Sequence, residues 1–260
     1  MTHLDDAHAA MAQNEDDDAA RLNFYSLLAD TELFVMLDAE ADSDQISPRL
    51  FDLEDGPVVL AFDLEERLAA FVGGPTPYAA LPGRVIATQL AGQGIGLGLN
   101  IGAAPSAIIL PSDVMDWLAA TLGNKPKEVA ATPQGFSYPW GIPARVTERL
   151  LQKLAANPGL ADAVLLAEVV YEQGRRGHIL AVLGADGGAE AALAGAVSEA
   201  IVFSGLDMAE LDVVFLDAGD PRTKTIEAVA LRLDLPKPVT AAKTDPQSPG
   251  MDRQNPPILR

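Results

Sequence analysis

The chain has 260 residues, of which 48% are hydrophobic, so it can form one large or two ordinary domains with a sizeable core. It contains no cysteine, which excludes disulfides and cysteine-based zinc sites. Its formal net charge of −19 disfavours broad binding to nucleic acids or membrane surfaces, because both present phosphate groups. No apolar run is long enough to span a bilayer, and the acidic N-terminus lacks the features of a secretory signal. We therefore expect a soluble, cytoplasmic protein.

The first half predicts an acidic leader over residues 1–15 and an α+β domain over residues 16–123. The leader is small, polar and acidic, so we expect it to be disordered. A helix is predicted from Asp16, followed by strands at Glu32–Leu37 and Pro57–Phe62. The second of these strands is almost wholly apolar, which is typical of a strand that is covered on both faces.

The clearest helix signal follows Asp63, which is predicted to cap the helix while Glu66 reaches back to complete a capping box. A Gly/Pro corner ends this helix, and a second helix precedes the glycine-rich strand Ile95–Asn100. That strand alternates glycine with apolar residues, so one face is bare and must lie close to a backbone or a ligand. A short strand at Ala107–Leu110 and a helix capped by Ser112 complete the predicted domain.

Residues 124–143 are rich in proline and are predicted to connect two domains. The aromatic residues Phe136, Tyr138 and Trp140 alternate within this segment, as on an extended chain docked against a surface. They either pack back onto a domain or form an exposed docking site for a partner.

Residues 144–236 predict a second α+β domain with the element order α-β-β-α-β-α. Strands at Ala163–Tyr171 and Gly177–Leu183 are joined by a hairpin, and a third strand covers Leu211–Leu216. This order suits helices packed on one face of a small sheet. Residues 237–260 are rich in proline, lysine and glutamine and are predicted to be a disordered tail.

The glycine run Gly92–Gly98 invites comparison with a phosphate-binding loop. Such a loop follows a strand and opens a helix, so that helix N–H groups face the phosphate. Here a helix comes first and a strand follows, which favours close backbone packing instead.

No catalytic or metal-binding pattern is found in the sequence, and the prediction is a protein without cofactor or metal. A metal or general-base site needs convergent ligands, but the body of the chain has a single histidine, His178. Ser106 lacks a neighbouring base and a nucleophile-elbow pattern. The remaining acidic pairs and basic clusters are interpreted as helix caps and solvated charges: Glu65 with Glu66, Asp217 with Asp220, Arg175 with Arg176, and Arg222 with Lys224.

Four segments of the first half resemble the SseB N-terminal domain. They are LFVMLD (Leu33–Asp38), GPVVLAFDLEERLAAF (Gly56–Phe71), GLGLNIG (Gly96–Gly102) and IILPSDVMDWL (Ile108–Leu118). The second half is similar to the SseB C-terminal domain, so the resemblance covers roughly residues 20–236. Asn100-Ile101-Gly102 stands where the family commonly has Asn-Pro-Gly, so the proline of that turn is missing here.

The resemblance implies two small α+β domains, each a mixed or antiparallel sheet with helices packed on it, and no established enzymatic activity. The family is named for a serine-sensitivity phenotype. We therefore expect a cytoplasmic, non-enzymatic protein that binds another protein or a small metabolite, but not nucleic acid or membrane. The alternative is a small-ligand-binding protein or an enzyme with a site in the interdomain cleft. The candidate interaction surface is formed by Asn100, Gly102, Phe136, Tyr138 and Trp140.

Overall fold

The computed structural model describes residues 1–14, 16–40, 46–124, 132–156, 158–205, 211–217 and 219–237. Within these residues it contains eight α-helices and eleven strands in two mixed sheets, which confirms the α+β prediction with two sheet-based regions. Part of the predicted linker, residues 125–131, and the predicted tail from residue 238 onward lie outside the described residues.

The first region runs from α1 to α5 and holds a six-stranded sheet of order β4-β1-β3-β5-β6, with β2 also paired to β3. Strands β3 and β5 are parallel, and the remaining pairs of this sheet are antiparallel. The bounds are α1 His3–Gln13, α2 Asp18–Asp30, β1 Glu32–Met36, β2 Leu50–Leu53, β3 Gly56–Phe62, α3 Glu65–Val72, β4 Tyr78–Pro82, α4 Gly83–Leu90, β5 Gly96–Leu99, β6 Ile108–Leu110 and α5 Ser112–Leu122.

Both faces of the first sheet are covered. Val59 and Ala61 of β3 point into a core shared with α1, α2, α4 and α5, whereas Val58 and Leu60 pack with Leu68 of α3 on the opposite face. This alternation follows from the period of two along a strand. It confirms that the apolar run at β3 is buried on both sides.

The bare face of β5 is filled by the protein itself. A Cβ on Gly96 would lie 2.6 Å from the carbonyl oxygen of Leu110, and one on Gly98 would lie 2.5 Å from Cδ2 of Leu60. The predicted close packing is therefore confirmed. The contacts come from neighbouring strands, so these glycines do not line a ligand site.

The acidic leader is the helix α1, so the prediction of disorder over residues 1–15 is wrong for its described part. Thr2 and Asp5 form a reciprocal capping box at its start, and Leu4 and Ala7 are buried in the first core. The prediction relied on the acidic composition of this segment and overlooked its capping box and its buried apolar residues. A capped helix with one short apolar face gains its stability from the domain on which it packs.

The second region holds a sheet of order β10-β9-β8-β11, with β7 also paired to β8. Strand β10 is parallel to β9, and the other pairs are antiparallel. The bounds are β7 Pro133–Ser137, α6 Ala144–Ala155, β8 Ala163–Tyr171, β9 Arg176–Leu183, α7 Glu190–Val202, β10 Leu211–Leu216, α8 Pro221–Glu227 and β11 Leu231–Asp234.

Three details of the second region differ from the prediction. Helices α6 and α7 cover one face of the sheet, but Ile226 of α8 packs on the opposite face, because β8 and β9 are apolar on both faces. A further strand, β11, follows the last helix and is absent from the predicted element order. The predicted linker supplies β7, so part of residues 124–143 belongs to this sheet.

The two regions are in contact through their helices. Phe203, which follows α7, is buried in the core of the first region and packs edge-on against Trp117 of α5, with ring centroids 6.1 Å apart. Among the described residues, no helix combines the length and apolar character needed to cross a membrane.

Gly83→Ala is expected to lower the free energy of unfolding by about 2 kcal/mol or more, because the added Cβ would lie 2.0 Å from the Leu28 carbonyl oxygen of α2. Gly195→Ala is the matched control, since Gly195 lies inside α7 with no atom within 4 Å of a Cβ position. That control should gain about 0.5–1 kcal/mol from the better helix propensity of alanine. Urea denaturation of both variants checks the contrast, and an equal response of the two would contradict this packing.

Candidate functional site

The five residues of the predicted interaction surface do not form one exposed surface. Asn100 is fully buried with a φ of 51°, and its side chain accepts from the Asp63 backbone N–H at 3.1 Å and donates to Ser106 Oγ at 2.9 Å. It therefore cannot be a surface residue, and that part of the prediction is wrong. Gly102 does lie on an exposed turn, beside the ring of Phe71.

The aromatic residues of the linker divide between the two interpretations. Phe136 lies in β7 and packs against the core on the α8 face of the second sheet. Tyr138 and Trp140 are 41% and 79% exposed, and their ring centroids lie 4.7 Å apart at an interplanar angle of 56°. Only this exposed aromatic pair, Tyr138 with Trp140, keeps the character of a docking surface.

The structure reveals a polar cluster that the sequence did not predict. It lies where the parallel strands β3 and β5 end and where α1 and α3 begin, and we call it the Asp5 cluster. Its members are distant in sequence but share a network of hydrogen bonds: Thr2, Asp5, Asp63, Arg67, Asn100 and Ser106.

Arg67 of α3 stands at the centre of the cluster and binds two carboxylates. Its Nη2 lies 2.5 Å from Asp5 Oδ2 and its Nη1 lies 3.0 Å from Asp5 Oδ1, which is a bidentate pair. The same Nη1 lies 2.8 Å from Asp63 Oδ1. The Arg67 side chain is 14% exposed, and both carboxylate side chains are 1% exposed, so all three charges are shielded from water.

Two hydroxyl groups satisfy the carboxylate oxygens further. Ser106 Oγ donates to Asp5 Oδ1 at 2.5 Å, and Thr2 Oγ1 donates to Asp63 Oδ2 at 2.6 Å. Hydrogen bonds from Arg67, assisted by Ser106 and Thr2, outweigh burial and hold the pKa of Asp5 well below its ordinary value. The bond to Asp5 likewise raises the pKa of Arg67. The pair therefore stays ionised at physiological pH.

This arrangement suits charge recognition better than acid–base chemistry. A carboxylate whose pKa lies far below neutrality is a poor general base, and the Ser106 hydroxyl donates to that carboxylate instead of facing a base. The Asp63 carboxylate accepts hydrogen bonds from Arg67 and Thr2. Helix α3 begins after Leu64 without a side-chain cap, so the predicted Asp63–Glu66 capping box is wrong.

One sequence signal pointed toward this cluster. Asp63 and Asn100 each follow directly on an apolar strand, and the ends of neighbouring parallel strands meet at one edge of a sheet. The pairing of Arg67 with Asp5 could not be foreseen, because it depends on α1 folding back onto α3.

A second charged group joins the two regions. Each region supplies one acid and one base, Asp30 and Arg84 from the first and Lys153 and Glu199 from the second, and we call these four residues the charge ring. Arg84 lies 2.5 Å from Asp30 and 3.0 Å from Glu199, and Lys153 Nζ lies 2.5 Å and 3.0 Å from the same two acids. Burial raises the pKa of Glu199, but hydrogen bonds from the two bases outweigh it and hold that pKa below its ordinary value.

An open cleft of about 1080 Å³ lies beside the charge ring. Its walls come from α1, α2, α4, α6 and α7, and include His3, Asp6, Asn23 and Arg149. Arg149 donates to the Asn23 amide oxygen across the contact of the two regions, and burial lowers its pKa. None of the five residues predicted for the interaction surface lines this cleft.

Asp220, Arg175 and Arg176, which were also singled out from the sequence, have local partners. Asp220 caps α8 by accepting from the Arg222 backbone N–H at 2.8 Å, which confirms the capping interpretation for this residue. Arg175 lies over the ring of Tyr171, and Arg176 pairs with Glu168 at 3.7 Å. In the part of the chain that the structure describes, no group of three or more His, Asp or Glu side chains is placed to hold a metal ion.

The fold defines an α+β protein with two mixed sheets, the first of which carries a buried carboxylate–guanidinium cluster. Residues 4–116 match the family model of the SseB protein N-terminal domain. The match begins within α1, so most of that helix falls inside the matched segment. No curated protein and no solved structure matches the chain.

Arg67→Met is expected to lower the free energy of unfolding by about 3–5 kcal/mol, because it leaves the buried carboxylates of Asp5 and Asp63 without their cation. Arg21→Met is the matched control, since Arg21 forms only a solvent-exposed pair with Asp18 and should change stability by about 0.5 kcal/mol or less. The midpoints of urea denaturation measure both effects. Similar losses for the two variants would show that the Asp5 cluster has no special role in stability.

Proposed function

We propose that the protein is a non-enzymatic SseB-family protein that acts by binding another protein through the exposed aromatic pair Tyr138–Trp140. The proposal includes a cytoplasmic location and a second region that corresponds to the SseB C-terminal domain. A link to serine sensitivity, which the family name implies, belongs to the same proposal.

The exposure of Trp140 is the observation that carries this proposal. The Trp140 indole is 79% exposed and lies beside a second exposed ring. A partner that covers it would remove a large apolar surface from water, which favours binding. Tryptophan and tyrosine are also the residue types most enriched among those that dominate binding energy at interfaces.

The position of the pair in the fold supports the same conclusion. Tyr138 directly follows β7, which lies on the edge of the second sheet and, among the described strands, pairs with β8 alone. An edge strand offers free backbone groups to an extended segment of a partner, and the two rings would then provide side-chain contacts.

A small ligand in the interdomain cleft is the second candidate function, and the volume and the charged lining of the cleft favour it. Arg84, Lys153 and Glu199 line the cleft, but each is already bound within the charge ring. A ligand would have to compete with those ion pairs, whereas the aromatic pair needs no rearrangement to bind.

Trp140→Ser should weaken partner binding about 30-fold or more, the loss expected when a residue that dominates an interface is removed. The full-length protein is used to isolate a partner, and the dissociation constant of the purified partner is then measured for each variant. Because Trp140 is largely exposed, the variant should keep the melting temperature of the wild type.

Ile109→Ser is the matched control. Ile109 is half exposed on β6, so the substitution removes an exposed apolar side chain that lies outside the aromatic pair. It should change the dissociation constant by no more than about threefold. Equal affinities for the Trp140 and Ile109 variants would refute the proposed surface. Loss of binding with Arg149→Ala and not with Trp140→Ser would favour the cleft.

A further inference from the structure

The Asp5 cluster occupies a position in the fold where sheets with helices on both faces often bind ligands. Asp63 follows β3 and Asn100 follows β5, and these two strands are parallel neighbours in the middle of the first sheet. Open α/β sheets bind their ligands in the crevice outside the carboxyl ends of such strands. Here the first turn of α1 fills that crevice.

The contacts of α1 in the crevice are those of a bound acid. The Asp5 carboxylate accepts two bonds from the Arg67 guanidinium, in the bidentate geometry with which arginine recognises carboxylates, and a third from Ser106 Oγ. The Thr2 hydroxyl donates to the second carboxylate of the site, Asp63. Thus α1 presents one carboxylate and one hydroxyl to groups that belong to the rest of the domain.

The receiving groups are held in place independently of α1. Asn100 fixes Ser106 through its amide nitrogen and binds the Asp63 backbone through its amide oxygen. Arg67 keeps its bond to Asp63 within the same turn of chain. Without α1, the crevice would retain the Arg67 guanidinium, the Ser106 hydroxyl and the Asp63 carboxylate.

We propose that this crevice is a binding site for a small hydroxy acid and that α1 closes it with its own carboxylate and hydroxyl. The ligand carboxylate takes the place of Asp5 on Arg67 and Ser106, and its hydroxyl takes the place of Thr2 on Asp63. Binding therefore displaces the first turn of α1. This site is separate from the aromatic pair and does not depend on the proposed protein partner.

The test removes from α1 the two groups that the ligand would supply. In the full-length Thr2→Ala/Asp5→Ala variant, lactate should raise the melting temperature saturably by about 3 °C or more, whereas chloride at equal ionic strength should not. Propionate, which lacks the hydroxyl, should have a smaller effect. The wild type should respond only at higher lactate concentrations, because lactate must first displace Asp5, which is present at a high effective concentration.

Adding Arg67→Met to that variant should abolish the response to lactate. A response that is equal for lactate and chloride, or that persists without Arg67, would overturn the proposed site.

A second variant keeps the proposal testable if the double variant does not fold. Leu4→Ala weakens the apolar docking of α1 and leaves every polar group of the site intact. Lactate should then increase the hydrogen exchange of the α1 amides at least about threefold over chloride, because it competes with Asp5 for Arg67. Equal exchange in the two salts would contradict displacement of α1.

Discussion

The buried ion pair between Asp5 and Arg67 is the interaction on which the first region depends. It joins α1 to α3, and α3 lies on the opposite face of the sheet from the core that α1 completes with Leu4 and Ala7. Such a pair is favourable only when the carboxylate oxygens are fully hydrogen-bonded, and here Ser106 Oγ and the Thr2 backbone N–H both donate to Asp5. The free ends of β3 and β5 are thereby sealed by a helix that lacks the length to be stable alone.

The contact between the two regions also contains ion pairs, and some of these are more exposed to solvent than the pair of Asp5 and Arg67. The charge ring places one acid and one base from each region in mutual contact, and Phe203 inserts into the first core beside it. The charge ring favours one relative position of the two regions, because a shift of one region along the other would bring like charges together.

Much of the fold could be predicted from periodicity. The strands at Ala163–Tyr171 and Leu211–Leu216 were predicted with the bounds found. The short strands β4 and β11 were missed, because their identity depends on pairing with distant strands. Helix α1 was missed because its acidic composition is typical of disorder. Its partner Arg67 lies more than sixty residues away in sequence, so local patterns could not reveal the contact. Among the residues predicted for the interaction surface, Tyr138 and Trp140 are exposed as expected. Asn100 was wrongly predicted to be on the surface, because its buried side chain binds the Asp63 backbone and Ser106.

A double-mutant cycle between Asp5 and Arg67 tests the central claim most directly. The free energy of unfolding is measured for the wild type, Asp5→Asn, Arg67→Met and the double variant, which isolates the coupling of the two side chains. If the pair holds α1 in place, the coupling should be about 1.5–3 kcal/mol, with the double variant much less destabilised than the sum of the single variants. A coupling within about 0.3–0.5 kcal/mol of zero would contradict this account of the structure.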